Sequence, residues 1–315
     1  MLKAKEFLER YPTTKFYKLT SKDEVHNGFK FNTGLNVDFN VFDEYGIYFA
    51  EFDQIPIWIN YKHDLHWIRE VELEVNNSLI YVEDSAFRAN MVILGERISI
   101  SDFYETLDEK IVLEHLSIDP NLLKFITYQT EEMCLVAVEC DGLVLKYVDY
   151  QNDKICLDSC KQNGMALEFV KNKTPEICIA ACVQNGLALQ YTEKETEEMC
   201  LIAIDDNPLA LKYVKNQTSY MCLAACRQNG LALEFVENKS PEMHLAACRQ
   251  NGLALEFVEN KTTEMIFVAC DQNGLALEFV EFQTYEICLV ACEDDKNAIK
   301  FVIPKYYDYI MSLKI

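Results

Sequence analysis

GLALEFV begins at residue 230, again at 252 and again at 274. GMALEFV at 164, GLALQYT at 186 and PLALKYV at 208 keep the same interval of 22 residues. GLVLKYV at 142, PNLLKFI at 120 and the worn copy KNAIKFV at 296 extend the register in both directions. Counted from Thr106, the array is nine units of 22 over residues 106–303, with no insertion or deletion. A period of this length marks a stacked repeat, in which no unit buries its apolar face alone.

Each unit reads as two short helices. In 172–193, NKTPEICIAACVQNGLALQYTE, Thr174 caps a helix, Pro175 suits its first position and Glu176 its positive end. Ile177, Ala180, Ala181 and Gln184 follow at helical spacing. Asn185-Gly186 stops this helix, and Asn or Asp holds that place in all nine units. A side chain that caps a second helix, or a left-handed turn, accounts for the preference. Pro120 and Pro208 replace the glycine, as a first helical position permits. The second helix is expected to run about eight residues, and neither helix is stable without its neighbours.

Residues 1–105 contain no cysteine and many aromatics. Val71–Val75 alternates apolar and polar residues like a half-buried strand, and Phe16–Leu19, Gly46–Phe49, Leu79–Val82 and Met91–Leu94 are further strand candidates. Helices are expected over Leu2–Arg10 and near Gln54–Tyr61, with Trp58 and Trp67 anchoring the core. The expected architecture is therefore an α+β domain over 1–105, an all-α solenoid (an α–α superhelix) of nine two-helix repeats over 106–303, and a capping helix over 304–315.

Lys and Arg number 29 against 51 Asp and Glu, a net charge of −22. Phosphate backbones repel such a chain, so sequence-independent nucleic-acid binding is not expected. No run of about 18 apolar residues predicts a membrane span, and MLKAKEFLERYP lacks the apolar core of a signal peptide. A cytoplasmic setting is expected, with the 13 cysteines as reduced thiols.

Six cysteines form one column of the first helix: Cys134, Cys156, Cys178, Cys200, Cys222 and Cys288. Six more stand four residues on: Cys160, Cys182, Cys226, Cys248, Cys270 and Cys292. Cys140 is alone. His244 with Cys248 is the best metal pair, but Val112, Leu116, Val138, Ile204 and Ile266 fill the same columns elsewhere. Packing of a small, soft side chain explains both sets, and no metal or cofactor is expected. His63 and His66 in HDLH lack an evident third ligand.

The outward columns are acidic. Glu168, Glu234, Glu256 and Glu278 lie on the second helix, with Glu237, Glu259 and Glu281 one turn on. A second outward column holds Gln162, Gln184, Gln228, Gln250 and Gln272, with Arg227 and Arg249 beside it. These residues are the candidate surface for a protein partner carrying a basic patch. No Walker loop, dinucleotide fingerprint or nucleophile elbow appears, so a non-enzymatic scaffold or adaptor is the leading expectation.

GMALEFVKNKTPEICIAAC at 164–182 and GLALEFVENKSPEMHLAAC at 230–248 resemble the DUF4116-type helical repeat of giant DNA viruses of amoebae. The resemblance covers about two-thirds of the chain. It implies an α–α solenoid in a viral or host-cytoplasmic setting, with viral or host proteins as partners. KLTSKDEVHNGF at 18–29 and GLNVD at 34–38 resemble a leader module found before such repeats. Gly46-Ile47-Tyr48-Phe49-Ala50 looks like a strand of ADP-ribosyltransferases, in which an aromatic residue stacks on nicotinamide. That resemblance implies an alternative in which Tyr48 binds a cofactor. Where the family has His or Arg followed by Gly or Thr, this chain has Lys18 and Leu19, and only Glu83 or Glu96 offers a carboxylate.

Overall fold

In the computed structural model, residues 1–26, 28–38, 46–61, 64–83 and 86–313 are described. The chain divides into two compact units, Met1–Asp158 and Ser159–Ile315.

The first unit opens with a mixed β/α module. Its strands are β1 (Leu2–Lys3), β2 (Phe16–Ser21), β3 (Val25–His26), β4 (Phe29–Lys30), β5 (Gly34–Val37) and β6 (Ile47–Glu51). They continue with β7 (Leu65–Glu72), β8 (Leu79–Val82), β9 (Phe87–Ala89), β10 (Met91–Leu94) and β11 (Ile98–Ser99). The helices are α1 (Ala4–Arg10), α2 (Ile55–Tyr61) and α3 (Ile100–Glu105). The main sheet runs β1-β8-β9-β6-β2-β7-β10-β5, with β11 on β7, while β3 and β4 pair separately. Phe7 of α1 lies 5.3 Å from Phe16, 4.9 Å from Phe87 and 6.3 Å from Phe49, mostly edge to face. Val71, Ile80, Val92 and Leu94 complete this core.

Neither tryptophan belongs to that core, contrary to expectation. Trp67 is half-buried, donates Nε1–H to the Lys22 carbonyl at 3.2 Å and carries the Arg97 guanidinium 4.6 Å above its ring. An indole needs a partner for its N–H, and both groups are found at the surface. Beneath them Arg69 forms a bidentate pair with Glu24, at 2.8 and 3.2 Å, and donates to Thr33 Oγ1 and the Gly95 carbonyl. Glu24 itself is held at φ 55°.

The array continues with ten-residue helices: α4 (Glu109–Ile118), α5 (Glu131–Cys140), α6 (Asp153–Gln162), α7 (Pro175–Gln184) and α8 (Glu197–Asp206). It goes on through α9 (Ser219–Gln228), α10 (Pro241–Gln250), α11 (Thr263–Gln272) and α12 (Tyr285–Asp294). Among the described residues, 128–303 contain no strand. The cap reading holds: Thr174 Oγ1 accepts from Ile177 N, and Thr218 and Thr262 repeat the bond in their own units.

The second helix differs from expectation. It is a six-residue 3₁₀ helix, such as Gly186–Tyr191 or Gly230–Phe235, rather than eight residues. A three-residue turn lines up Gly230, Leu233 and Val236 on one buried edge. Asn229 stays extended at φ −143° and accepts from Leu231 N at 3.0 Å, so capping rather than a left-handed turn explains this column. The 3₁₀ helix Pro208–Tyr213 starts on its proline as expected, and α8 still packs against α9. The expected terminal helix is α13 (Pro304–Ser312), which buries Ile310 and sets Tyr309 5.1 Å from Tyr285 of α12.

Candidate functional site

The seven ladder glutamates are all exposed. Glu234, Glu256 and Glu278 take the fifth position of three successive 3₁₀ helices, which pack side by side. Glu237, Glu259 and Glu281 follow in the connecting turns, giving six carboxylates over three repeats. Their backbone is tied down at one point: Gln217 Oε1 accepts from Glu237 N at 3.1 Å. Glu168 is distinct, because Tyr191 of the next repeat hydrogen-bonds its carboxylate. Lys124, Lys146, Lys212 and Lys300 stand in the same column and fold over their own neighbouring rings, 4.6–4.8 Å from the centroids.

The glutamine column has a second occupation. Gln184, Gln250 and Gln272 accept the backbone N–H of Gly164, Gly230 and Gly252 from the preceding repeat. Asp206 and Asp294 do the same for Gly186 and Gly274, at 2.6 and 2.7 Å. Gln228 stands opposite Pro208, which has no N–H to give. A further glutamine column, missed by the sequence reading, binds the other side of the stack. Gln217 Nε2 donates to the carbonyls of Leu211 and Phe235, and its Oε1 also takes the Cys222 thiol at 3.4 Å. Gln283 repeats these bonds with Phe301, Ile303 and Cys288. The recurrence of Gln129, Gln151, Gln217 and Gln283 in the 22-residue register was the available signal.

Twelve cysteines are buried and Cys140 is exposed, and none is joined in a disulfide. Burial pushes the Cys182 and Cys226 thiols up to about 12, and those of Cys134 and Cys248 up to about 11. Such thiols carry almost no thiolate at neutral pH and are poor nucleophiles. Among the described residues, no three His, Cys, Asp or Glu side chains group closely enough to hold a metal. His244 stands in the first cysteine column with a buried Nε2 that has no hydrogen-bond partner. Replacing it by the column's usual residue, His244→Cys, is expected to stabilise the array by about 1–3 kcal/mol by removing an unsatisfied group. Urea unfolding followed at 222 nm checks this, and a less stable variant would refute the orphan account.

The module holds a cavity of about 570 Å³, within the range of small-molecule sites. It opens where two strands part. β2 pairs with β6 only at Phe16↔Glu51 and Tyr17↔Ala50, whereas β2 stays on β7 as far as Ser21. Lys18, Thr20, Tyr48, Trp58, Glu83 and Arg88 line the space between. The Tyr48 and Trp58 rings are 6.3 Å apart. Arg88 lies 5.8 Å from the Tyr48 ring and 4.8 Å from Tyr81, with Nε 3.2 Å from Glu83. Lys18 is buried with Nζ 4.7 Å from the Phe31 ring, and Thr20 Oγ1 is buried without a hydrogen-bond partner. Of the two candidate carboxylates, Glu83 lines this cavity and Glu96 instead accepts from Thr33. His66 meets the Trp67 ring edge to face, whereas His63 lies outside the described residues.

No helix among the described residues is long and apolar enough to cross a membrane. No family model matches the chain, and no solved structure matches it. Over 108 residues the chain is 30% identical to a protein of Acanthamoeba polyphaga mimivirus provisionally named ankyrin repeat protein R868. The match takes in 30% of this chain and 52% of the relative, so the chain spans about half the length of the curated relative it matches. Part of this chain, which folds as a mixed β/α module followed by an α-solenoid, is thus distantly similar to a repeat protein of a giant virus.

Proposed function

We propose that this chain is a non-enzymatic interaction scaffold or adaptor, of the DUF4116-type viral repeat class, that binds viral or host proteins in the host cytoplasm. The observation that carries this reading is the run of six exposed carboxylates on three adjacent repeats, each joined to the next through its Gly230, Gly252 or Gly274 N–H. Solenoids use extended surfaces of this kind, and a partner with a basic face complements it. The mimivirus relative supports the viral setting.

The cavity beside Tyr48 favours a second reading, an ADP-ribosyltransferase-like module, active or inactive, in residues 1–105. One experiment separates the two. Partners are captured from infected host cells, identified by mass spectrometry, and measured against two variants. Glu234→Lys/Glu256→Lys/Glu278→Lys is expected to slow association at least about tenfold at low salt, with the difference fading at high salt. Each exposed change should alter stability by no more than about 0.5 kcal/mol. Tyr48→Ala is expected to leave partner binding unchanged. The reverse pattern, with loss only in Tyr48→Ala, would replace the scaffold reading by the second one.

A further inference from the structure

The first repeat departs from the others at one buried position. Where later repeats carry Ala137, Ala181 or Ala247, α4 carries His115. In the array this helix position comes close to the preceding repeat, so that a methyl added at Gly164 would collide with the Ala181 carbonyl. Ahead of α4 the chain provides the β/α module, and His115 reaches it. Its ring lies 5.0 Å from that of Phe52, and its Nδ1 is 3.0 Å from the hydroxyl of Tyr104 on α3. His115 is 3% exposed and Tyr104 equally so. Around them α2 packs on α4, and Ser101 of α3 donates to the Phe125 carbonyl at 2.6 Å.

From this geometry we infer that His115 is a pH-sensitive clasp, seating the β/α module on the first repeat while its imidazole is neutral and loosening that seat on mild acidification. The inference is independent of which partner the array binds. The charges acting on the imidazole are Asp53, on the turn after β6, and Glu114 on its own helix. Asp119, at the end of α4, acts on Tyr104 and keeps that hydroxyl protonated together with burial. Asp102 and Glu105 of α3, Lys124 of the 3₁₀ helix Pro120–Phe125, and Glu131, Glu132 and Glu139 of α5 all lie on exposed faces. The described side chains of α2 are not ionisable.

Burial is the largest influence on His115 and pushes its pKa below the ordinary imidazole value of 6.5, against the opposite pull of Asp53 and Glu114. A base whose folded pKa is depressed holds the contact fully above the unfolded value. The contact weakens as pH falls from there through the folded value. A cation between the Phe52 ring and the Tyr104 hydroxyl has lost its water and gained no carboxylate bond.

Hydrogen exchange of the full chain at pH 7.5 and 5.5, corrected for intrinsic rates, tests the clasp. Residues 175–213 contain no histidine and serve as the internal reference. Protection over residues 100–126 is expected to fall relative to that reference at the lower pH, by as much as about tenfold, the most that one imidazole of ordinary pKa 6.5 can contribute between these two pH values. His115→Gln is expected to abolish the difference, whereas Tyr104→Phe, which keeps the imidazole buried, retains it. An equal fall in both segments, or an unchanged response in His115→Gln, overturns the inference. Should His115→Gln fail to fold, NMR titration of the native chain decides: an imidazole pKa of 6.5 or above for His115 refutes the clasp, and a lower one supports it.

Discussion

Arg69→Met is expected to remove about 3–5 kcal/mol from the stability of the β/α module, the largest single effect in the chain. Glu24 would remain buried at φ 55° with its bidentate partner gone, leaving only the half-exposed Arg97, whose Nη1 is 3.3 Å from Oε2. Burial raises the Glu24 pKa, but the Arg69 and Arg97 charges outweigh it and hold the carboxyl below its ordinary value. This contribution is present above the unfolded carboxylate pKa and is lost as pH falls through the folded one. Arg69→Met/Glu24→Gln leaves no unpaired charge and should be milder than Arg69→Met alone. Both tryptophans, Trp58 and Trp67, lie in the module, so indole fluorescence reports its unfolding separately from the helical signal of the array. A fluorescence transition unmoved by Arg69→Met would show that the buried pair stabilises nothing.

Gly252→Ala should do the reverse, moving the 222 nm transition and sparing the fluorescence. The glycine is not needed for a left-handed backbone. It is needed because an added methyl would stand closer to the Ala269 carbonyl than real Cβ atoms come. Atoms of the Asn273 side chain and Ala269 carbonyl carbon crowd the same point at 3.0 and 3.1 Å. The obstacle is backbone, which cannot rotate away, so the stack must separate there and strain the bond from Gly252 N to Gln272. Overpacking of this kind costs about 1–3 kcal/mol. An unchanged array transition in urea would mean that adjacent repeats slide apart freely.

The array was legible because its signals are local. A cap, a cysteine pair and an Asn-Gly step recur every 22 residues, and each acts within a few positions of itself. What the period does not carry is the tightness of the second helix. Ala232, Leu233 and Val236 suit either an α or a 3₁₀ turn, and nothing in their spacing separates the two. In the module, Leu79–Val82 and Met91–Leu94 were placed to the residue, whereas the short strands Phe87–Ala89 and Gly34–Val37 were missed. Each depends on a distant partner, Phe87 on Phe49 and Gly34 on Leu94, although Phe87 also pairs locally with Val82. Arg69 and Glu24 are 45 positions apart, and the cavity exists only where β2 leaves β6. No period or composition encodes either. The exposed ladder was predicted from spacing alone, but the bonding of Gln250 and Gln272 was not, since an outward residue on one helix is a neighbour to the next.

The stitches between repeats also bear on how such a chain changes length. Each runs from one residue to another about one period away: Gln217 to Phe235 and Glu237, Gln250 to Gly230. The units at 230, 252 and 274 carry the same GLALEF string on both sides of any cut made between them. Unequal recombination that removes or duplicates one whole unit therefore rejoins an Asn-Gly step to an identical Asn-Gly step, and every donor meets an equivalent acceptor. A shift by a number of residues that is not a multiple of 22 breaks both sets of bonds at once. Copy number is a heritable variable that selection can adjust in single steps, lengthening the carboxylate ladder without redesigning a core.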